Sequence, residues 1–249
     1  MSGHSKWANI KHKKDAADKK KGKIFSRIAK EIMVAAKNGG ADASANPRLR
    51  SALASAKAAN MPNDNIDRAI KKGTGELGNA VFEEIVYEGY GAGGVAILVE
   101  CLTDNRNRSS SEVRTSFDRC NGNMAASGAV SRLFRRQSHF VITGDAADEE
   151  KLMELTLDAG AEDIECEDGY AEIWADPNAL EAINNVLSEA GITPEEAEVI
   201  QRSDLMCDIT EESTAASLMR LIDRLEDLDD VQQVSHNANI SDEILEKLG

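Results

Sequence analysis

The stretch SHFVITGDAADEEKLMELTLDAGAEDIECEDGYAEIWADPNALEAINNVLSEAGITPEEAEVIQRS, residues 138–203, decides the fold. Its first seven residues, SHFVITG, predict a buried strand. DEEKLMELTLDAGA carries apolar residues at helical spacing and predicts a helix that stops at Gly160. DIECE and YAEIWAD predict two short strands joined by Asp168-Gly169, a pair suited to a tight hairpin turn. Pro177 opens a second helix that ends near Gly191, and AEVIQRS predicts a last strand. The order β-α-β-β-α-β is the split-βαβ, ferredoxin-like pattern.

Outward from this unit the pattern is less regular. Upstream, FEEIVY and Val95–Leu102 predict two strands around GYGAGG, and a helix is expected over about 109–120 with Ser109 and Glu112 as its capping box. GNMAASGAVSRLFRRQ predicts a loop with a little order. Downstream, AASLMRLIDRLEDL predicts a helix and VQQVSHN a strand. These complete the earlier half as β-β-α-(insert)-α-β. At the N-terminal side, Ile24, Phe25, Ile28, Ile32, Met33 and Ala36 form one helix face. Asn46-Pro47 starts a second helix and a third runs over about 64–72. The expected class is α+β, multi-domain: residues 1–78 as a basic arm and three-helix domain, 79–135 plus 206–249 as a discontinuous α/β middle domain, and 136–205 as an acidic ferredoxin-like insert. Both α/β domains are expected to be ferredoxin-like.

The 249 residues carry formal charge −15, unevenly spread. Residues 1–75 sum to +11, residues 76–144 to −1 and residues 145–249 to −25. A basic end on an acidic chain suits contact with a polyanion, and the acidic remainder would be repelled by phosphate. No apolar run reaches the roughly 18 residues of a membrane span, and no signal-peptide core is visible. The cysteines at 101, 120, 166 and 207 form no C-x-x-C pair, so they are expected as reduced thiols of a cytoplasmic protein.

Enzymatic and cofactor signals are weak. Gly89, Gly91 and Gly94 match G-x-G-x-x-G, but a strand follows where a dinucleotide site needs a helix, so a hairpin turn is expected. His4, His12, His139 and His236 lack metal-pair spacing and read as solvated polar residues. No serine sits in a nucleophile elbow. Neither catalysis, metal nor cofactor is expected.

The basic arm is the strongest signal. Lys6, Lys11, Lys13, Lys14, Lys19, Lys20, Lys21, Lys23, Arg27 and Lys30 are candidate phosphate contacts, with His12 among them and Trp7 as a stacking element. Arg48, Arg50, Arg68, Lys71 and Lys72 extend the basic surface. Arg106 and Arg108, read as just before a helix, and Arg114 within it form a second anion-binding candidate. The alternatives at this point are a solvated tail with Trp7 tucked onto the helices, and surface arginines pairing with the acidic domain. The 46–60 helix offers few base-reading side chains, so positioning contacts are expected rather than base readout.

GHSKWANIKHKK, KGKIF, ANPRLR, NMPNDNIDRAI, YEGYGAGG, TDNRNR and LMRLIDRLEDLDDVQQVSHN together resemble the YebC/PmpR family over almost the whole chain. The resemblance implies a three-domain α/β protein with one domain inserted in another. It also implies a nucleic-acid-associated regulator. Members are described as DNA-binding transcriptional regulators, organellar relatives as translational activators, and bacterial ones as linked to the ribosome. The chain departs from the family pattern at NGNMAASGAV, where Asn121, Met124 and Ala125 replace typical residues. A non-enzymatic, cytoplasmic regulator is therefore expected, with DNA or ribosomal RNA and the ribosome as partners, no membrane, and a monomeric state with weak self-association left open. Its rivals are a ribosome-bound translation factor on ribosomal or transfer RNA, a small-ligand enzyme at GYGAGG, and a scaffold whose arm holds an acidic protein.

Overall fold

Alanine and lysine are strong helix formers, so a lysine-rich run can extend a helix without an apolar stripe of its own. The computed structural model, which describes residues 17–78, 81–167 and 169–248, begins with such a helix. Helix α1 (Ala17–Gly39) includes the lysine run ahead of the apolar face that opens at Ile24, and α2 (Pro47–Ala58) and α3 (Asn63–Gly73) pack against it. Ile32, Ala35, Leu49, Ala52, Ala56, Met61 and Ala69 are buried between the three. Asn46 joins two helix ends. Its Oδ1 accepts from the Leu49 amide at 3.1 Å as the cap of α2, and its Nδ2 donates to the Ala35 and Gly40 carbonyls at 2.8 and 2.9 Å at the end of α1.

Strands β1 (Glu83–Tyr90) and β2 (Ala96–Thr103) follow, then α4 (Arg106–Arg119) and the short β3 (Asn123–Met124). β1 and β2 pair antiparallel from Glu83↔Thr103 to Tyr90↔Ala96. GYGAGG is therefore a hairpin turn, with Gly93 and Gly94 at φ 75° and 79°, and a strand rather than a helix follows it. Helix α4 lies so close to β1 that a Cβ on Gly89 would stand 2.5 Å from the Phe117 ring.

The chain then builds β4 (Phe134–Thr143), α5 (Glu149–Thr156), β5 (Ala161–Glu167), β6 (Tyr170–Ala175), α6 (Leu180–Glu189) and β7 (Glu196–Ser203). It closes with β8 (Cys207–Ile209), α7 (Glu212–Glu226), β9 (Val231–His236), β10 (Ala238–Ile240) and α8 (Asp242–Leu248). Two four-stranded sheets result, ordered β3-β1-β2-β9 and β5-β6-β4-β7, with β8 and β10 as a separate parallel pair. The second order is that of a split βαβ unit, and Phe140, Ile142 and Ile173 meet Leu152, Ile183 and Leu187 in its core. The first sheet has its hairpin strands β1 and β2 at the centre, whereas the second has β4 between β6 and β7, so of the two sheets only the second has the split order. Its core joins Ile97, Val99 and Phe117 to Leu218, Leu221 and Leu225 of α7. The architecture is α+β with several cores, as expected.

Three local readings change. Asn105, not Ser109, caps α4: its Oδ1 accepts from the Arg108 amide at 3.1 Å, while Ser109 is buried in the first turn. Arg106 and Arg108 are thus inside the helix. His139 and His236 are buried rather than solvated, because β4 and β9 carry both side chains inward. The His139 Nε2 lies 2.9 Å from Glu172 Oε1, and its ring stacks on Trp174 with centroids 4.1 Å apart. The loop before β4 holds more order than expected, because the Glu88 carboxylate, buried under it, accepts from the Gly128, Val130 and Ser131 amides at 2.6, 2.6 and 2.9 Å. Burial raises the Glu88 pKa, but these amides outweigh it and hold the carboxyl below its usual range. Ala125 sits in this loop without a left-handed backbone, and Asn121 takes the positive φ of 57°.

The Asn46 junction gives the first prediction. Asn46→Asp keeps the acceptor for Leu49 and removes the donor to Ala35 and Gly40, and should cost about 1–3 kcal/mol. Equilibrium denaturation of wild type and variant measures it; equal midpoints would show that the donor is immaterial.

Candidate nucleic-acid interface

A helix C-terminus ends in unpaired carbonyls and a partial negative charge, so acidic residues there need cations from elsewhere. The sequence E-D-L-D-D at 226–230 follows α7 in this way. Its cations come from α1 and α4. Lys23 Nζ donates to the Asp227 carbonyl at 3.0 Å and to Asp227 Oδ1 at 2.7 Å. The Arg27 guanidinium donates to the Glu226 carbonyl. Lys30 Nζ reaches the Asp229 carbonyl at 2.7 Å and Asp230 Oδ1 at 2.8 Å.

Asp230 is the centre of this contact and is only 3% exposed. Its Oδ2 accepts from Thr103 Oγ1 at 2.9 Å, Ser109 Oγ at 2.8 Å and Arg108 Nη2 at 2.6 Å. Burial pushes its pKa up, but the hydrogen bonds from Lys30, Arg108, Ser109 and Thr103 outweigh that and hold it far below the usual carboxylate range. Arg108 also pairs with Asp104 at 2.9 Å, and these carboxylates raise its own pKa. Cys101, beside Asp230, is pushed up to about 12 by burial first and by that charge second.

The other arginines of the helical bundle divide in two. Arg48 donates to Glu31 at 2.6 Å and pairs with Glu84, and Arg50 donates to Glu181 at 3.2 Å and to the Ala43 carbonyl at 3.0 Å. Arg68, Lys71 and Lys72 are exposed and make no ion pair among the described residues. Their spacing on α3 puts them on one face. Lys72 and Lys37 both line an open groove of about 480 Å³ where α1 and α3 end, with Gly40, Thr74 and Val81. Lys37 escaped the sequence reading because it lies apart from the lysine run. Arg106 and Arg114 are exposed on α4, also without ion pairs among the described residues.

Of the candidate residues, Lys6, Trp7, Lys11, His12, Lys13 and Lys14 lie outside the described residues, and Lys19, Lys20 and Lys21 lie on α1. Lys23, Arg27, Lys30 and Arg108 converge on the acidic turn, Arg48 and Arg50 bridge elements, and Arg68, Lys71, Lys72, Arg106 and Arg114 face solvent. The missed partners, Asp227 and Asp230, carried one sequence signal: three acidic residues directly after a helix C-terminus. Among the described residues, no group of three or more His, Cys, Asp or Glu is placed to hold a metal ion, and no helix is long and apolar enough to cross a membrane.

Two family models match the chain, one described as the TACO1/YebC protein N-terminal domain over residues 5–76 and one as the TACO1/YebC second and third domain over residues 82–238. A protein of Geobacter sulfurreducens named a probable transcriptional regulatory protein is 52% identical over 248 residues, covering 100% of both chains. One of Elusimicrobium minutum with the same name is 47% identical, covering 100% of this chain and 99% of its own. The crystal structure of a conserved hypothetical protein from Aquifex aeolicus aligns with a TM-score of 0.83 at 44% identity, covering 92% of this chain and 95% of that one.

The folded pKa of Asp230 lies below its unfolded value. Its contribution to stability is therefore full above about pH 4 and is lost as pH falls through the folded value. At neutral pH Asp230→Ala should cost about 1–3 kcal/mol, because it takes the acceptor from the buried Thr103 and Ser109 hydroxyls and from Lys30, while Arg108 keeps Asp104. Denaturant unfolding at a series of pH values should show the difference between variant and wild type shrinking as the solution is acidified. A difference constant with pH would contradict the assignment.

Proposed function

The chain belongs to the TACO1/YebC family, and from that premise we propose that it is a non-enzymatic nucleic-acid-binding regulator of gene expression, acting on DNA as a transcriptional regulator. The observation that carries this reading is the partition of charge: +11 over residues 1–75 against −25 over residues 145–249, with Arg68, Lys71 and Lys72 exposed on one helix face beside Lys37. The names of the relatives support it.

In this mechanism the backbone phosphates are held by charge. Lys6, Lys11, Lys13, Lys14, Lys19, Lys20 and Lys21 supply the sequence-local part, with Trp7 stacking on a base. Arg68, Lys71, Lys72 and Lys37 supply a second patch, and Arg106 and Arg114 a third. Each phosphate neutralised releases counterions, so affinity falls with salt. The acidic second sheet faces away from the polyanion, repelled by it.

One observation favours a second reading, a translation factor on ribosomal or transfer RNA. Arg48 and Arg50, among the main polar groups of α2, are engaged with Glu31, Glu84 and Glu181. A recognition helix needs several free base-reading side chains. Contacts limited to phosphates suit RNA as well as DNA.

Binding of the full chain to a DNA duplex, a single-stranded RNA and purified ribosomes across a salt series tests both. A duplex preference that survives moderate salt supports the transcriptional reading; ribosome binding with salt-labile DNA binding transfers the protein to translation. In either case the triple change Arg68→Gln, Lys71→Gln, Lys72→Gln should flatten the slope of log affinity against log salt by about 2–3. An unchanged slope would remove this patch from the interface.

A further inference from the structure

Lys23, Arg27 and Lys30 recur at four- and three-residue spacing on α1, so they form one stripe about 10 Å long. In this structure the stripe meets a row of oxygens: the Glu226 and Asp227 carbonyls, the Asp227 carboxylate, the Asp229 carbonyl and the Asp230 carboxylate.

The two ends of this contact differ. At the inner end Lys30 and Arg108 grip a buried carboxylate that also accepts from Thr103 and Ser109. At the outer end the Lys23 and Asp227 side chains are 43% and 76% exposed, and an exposed pair of this kind is weak and screened by salt. Arg27 lies next to it with its pKa lowered, because burial outweighs the attraction of Glu226 and Asp227. The lysines Lys19, Lys20 and Lys21 continue the same helix beyond this weak end.

We propose that Lys23 and Arg27 form a covered surface for a phosphodiester backbone, and that the acidic end of α7, Glu226–Asp227, occupies it until nucleic acid displaces it. The Asp230 contact stays closed and acts as the hinge. This rests on the nucleic-acid-binding reading above. It gives the acidic turn a role beyond joining two parts of the chain. It sets a threshold that a bound polyanion must exceed, so that weak, scattered phosphates do not gain Lys23 and Arg27.

The test uses the full chain and two probes, a fluorescent 20-nucleotide RNA and a 20-base-pair DNA duplex, at one fixed salt concentration. Asp227→Asn should tighten binding about threefold, the worth of an exposed pair. Asp158→Asn, an exposed residue of the second sheet's unit with the same charge change, controls for net charge. Lys23→Gln should change affinity little alone, because Lys23 exchanges one anion for another, and should abolish the gain when added to Asp227→Asn. Thermal unfolding run in parallel confirms that each variant is folded. Equal affinities for Asp227→Asn and Asp158→Asn would overturn the proposal, as would a Lys23→Gln loss of the same size with and without Asp227. If wild type binds neither probe, the nucleic-acid reading itself has failed. If wild type binds and all four variants match it, only the covered surface has failed.

Discussion

A carboxylate taken almost wholly out of water must be satisfied where it stands, and Asp230 sits where the helical bundle, the first sheet and α4 meet. Removing such a charge from water costs several kcal/mol, so it is tolerated only with its donors in place. Those donors come from α1, β2 and α4, and none can move without leaving the others short. The Asp230 backbone also takes part, accepting from the Leu102 amide at 2.8 Å at the edge of the first sheet. This group anchors the basic helices on the acidic remainder together with the Lys23, Arg48 and Arg50 pairs. The bundle's cations divide into an inner stripe, which is used, and an outer set, Arg68, Lys71 and Lys72, which makes no ion pair among the described residues.

The same electrostatic asymmetry therefore works at two ranges. Within the chain, acidic residues after α7 meet cations of α1, and Arg48 and Arg50 tie the bundle to β1 and α6. Beyond the chain, Arg68, Lys71, Lys72 and Lys37 face solvent with nothing to neutralise them among the described residues. A basic count over the N-terminal segment merges these two populations. Only the distances separate a lysine that holds the molecule together from one that can hold a phosphate. The buried pair is held by geometry and desolvation, whereas the exposed set acts through counterion release and depends on salt.

Much of the architecture was legible from local pattern. The β-α-β-β-α-β run, the three N-terminal helices, the hairpin at GYGAGG and the late helix and strand were all marked by apolar spacing and by turn or cap residues. The misreadings have local causes. Ser109 has capping-box spacing, but Asn105 caps first and leaves Ser109 free to serve Asp230. His139 reads as a polar residue, yet strand alternation turns it inward to Glu172 and Trp174. The loop before β4 has a loop's composition. Its order comes from Glu88, some forty residues earlier in the chain, whose carboxylate gathers three of its amides.

Composition and periodicity, acting over a few turns of chain, were enough to establish an α+β protein with a basic helical start and an acidic split-βαβ unit. They act through contacts between near neighbours, which a linear string preserves. The fate of each charge was decided by contacts across about 120 to 200 positions, such as Lys23 with Asp227, Lys30 with Asp230 and Arg108 with Asp230. Whether a charge is buried with a partner or left in water depends on which distant segments the fold brings together, and a local pattern holds no record of that.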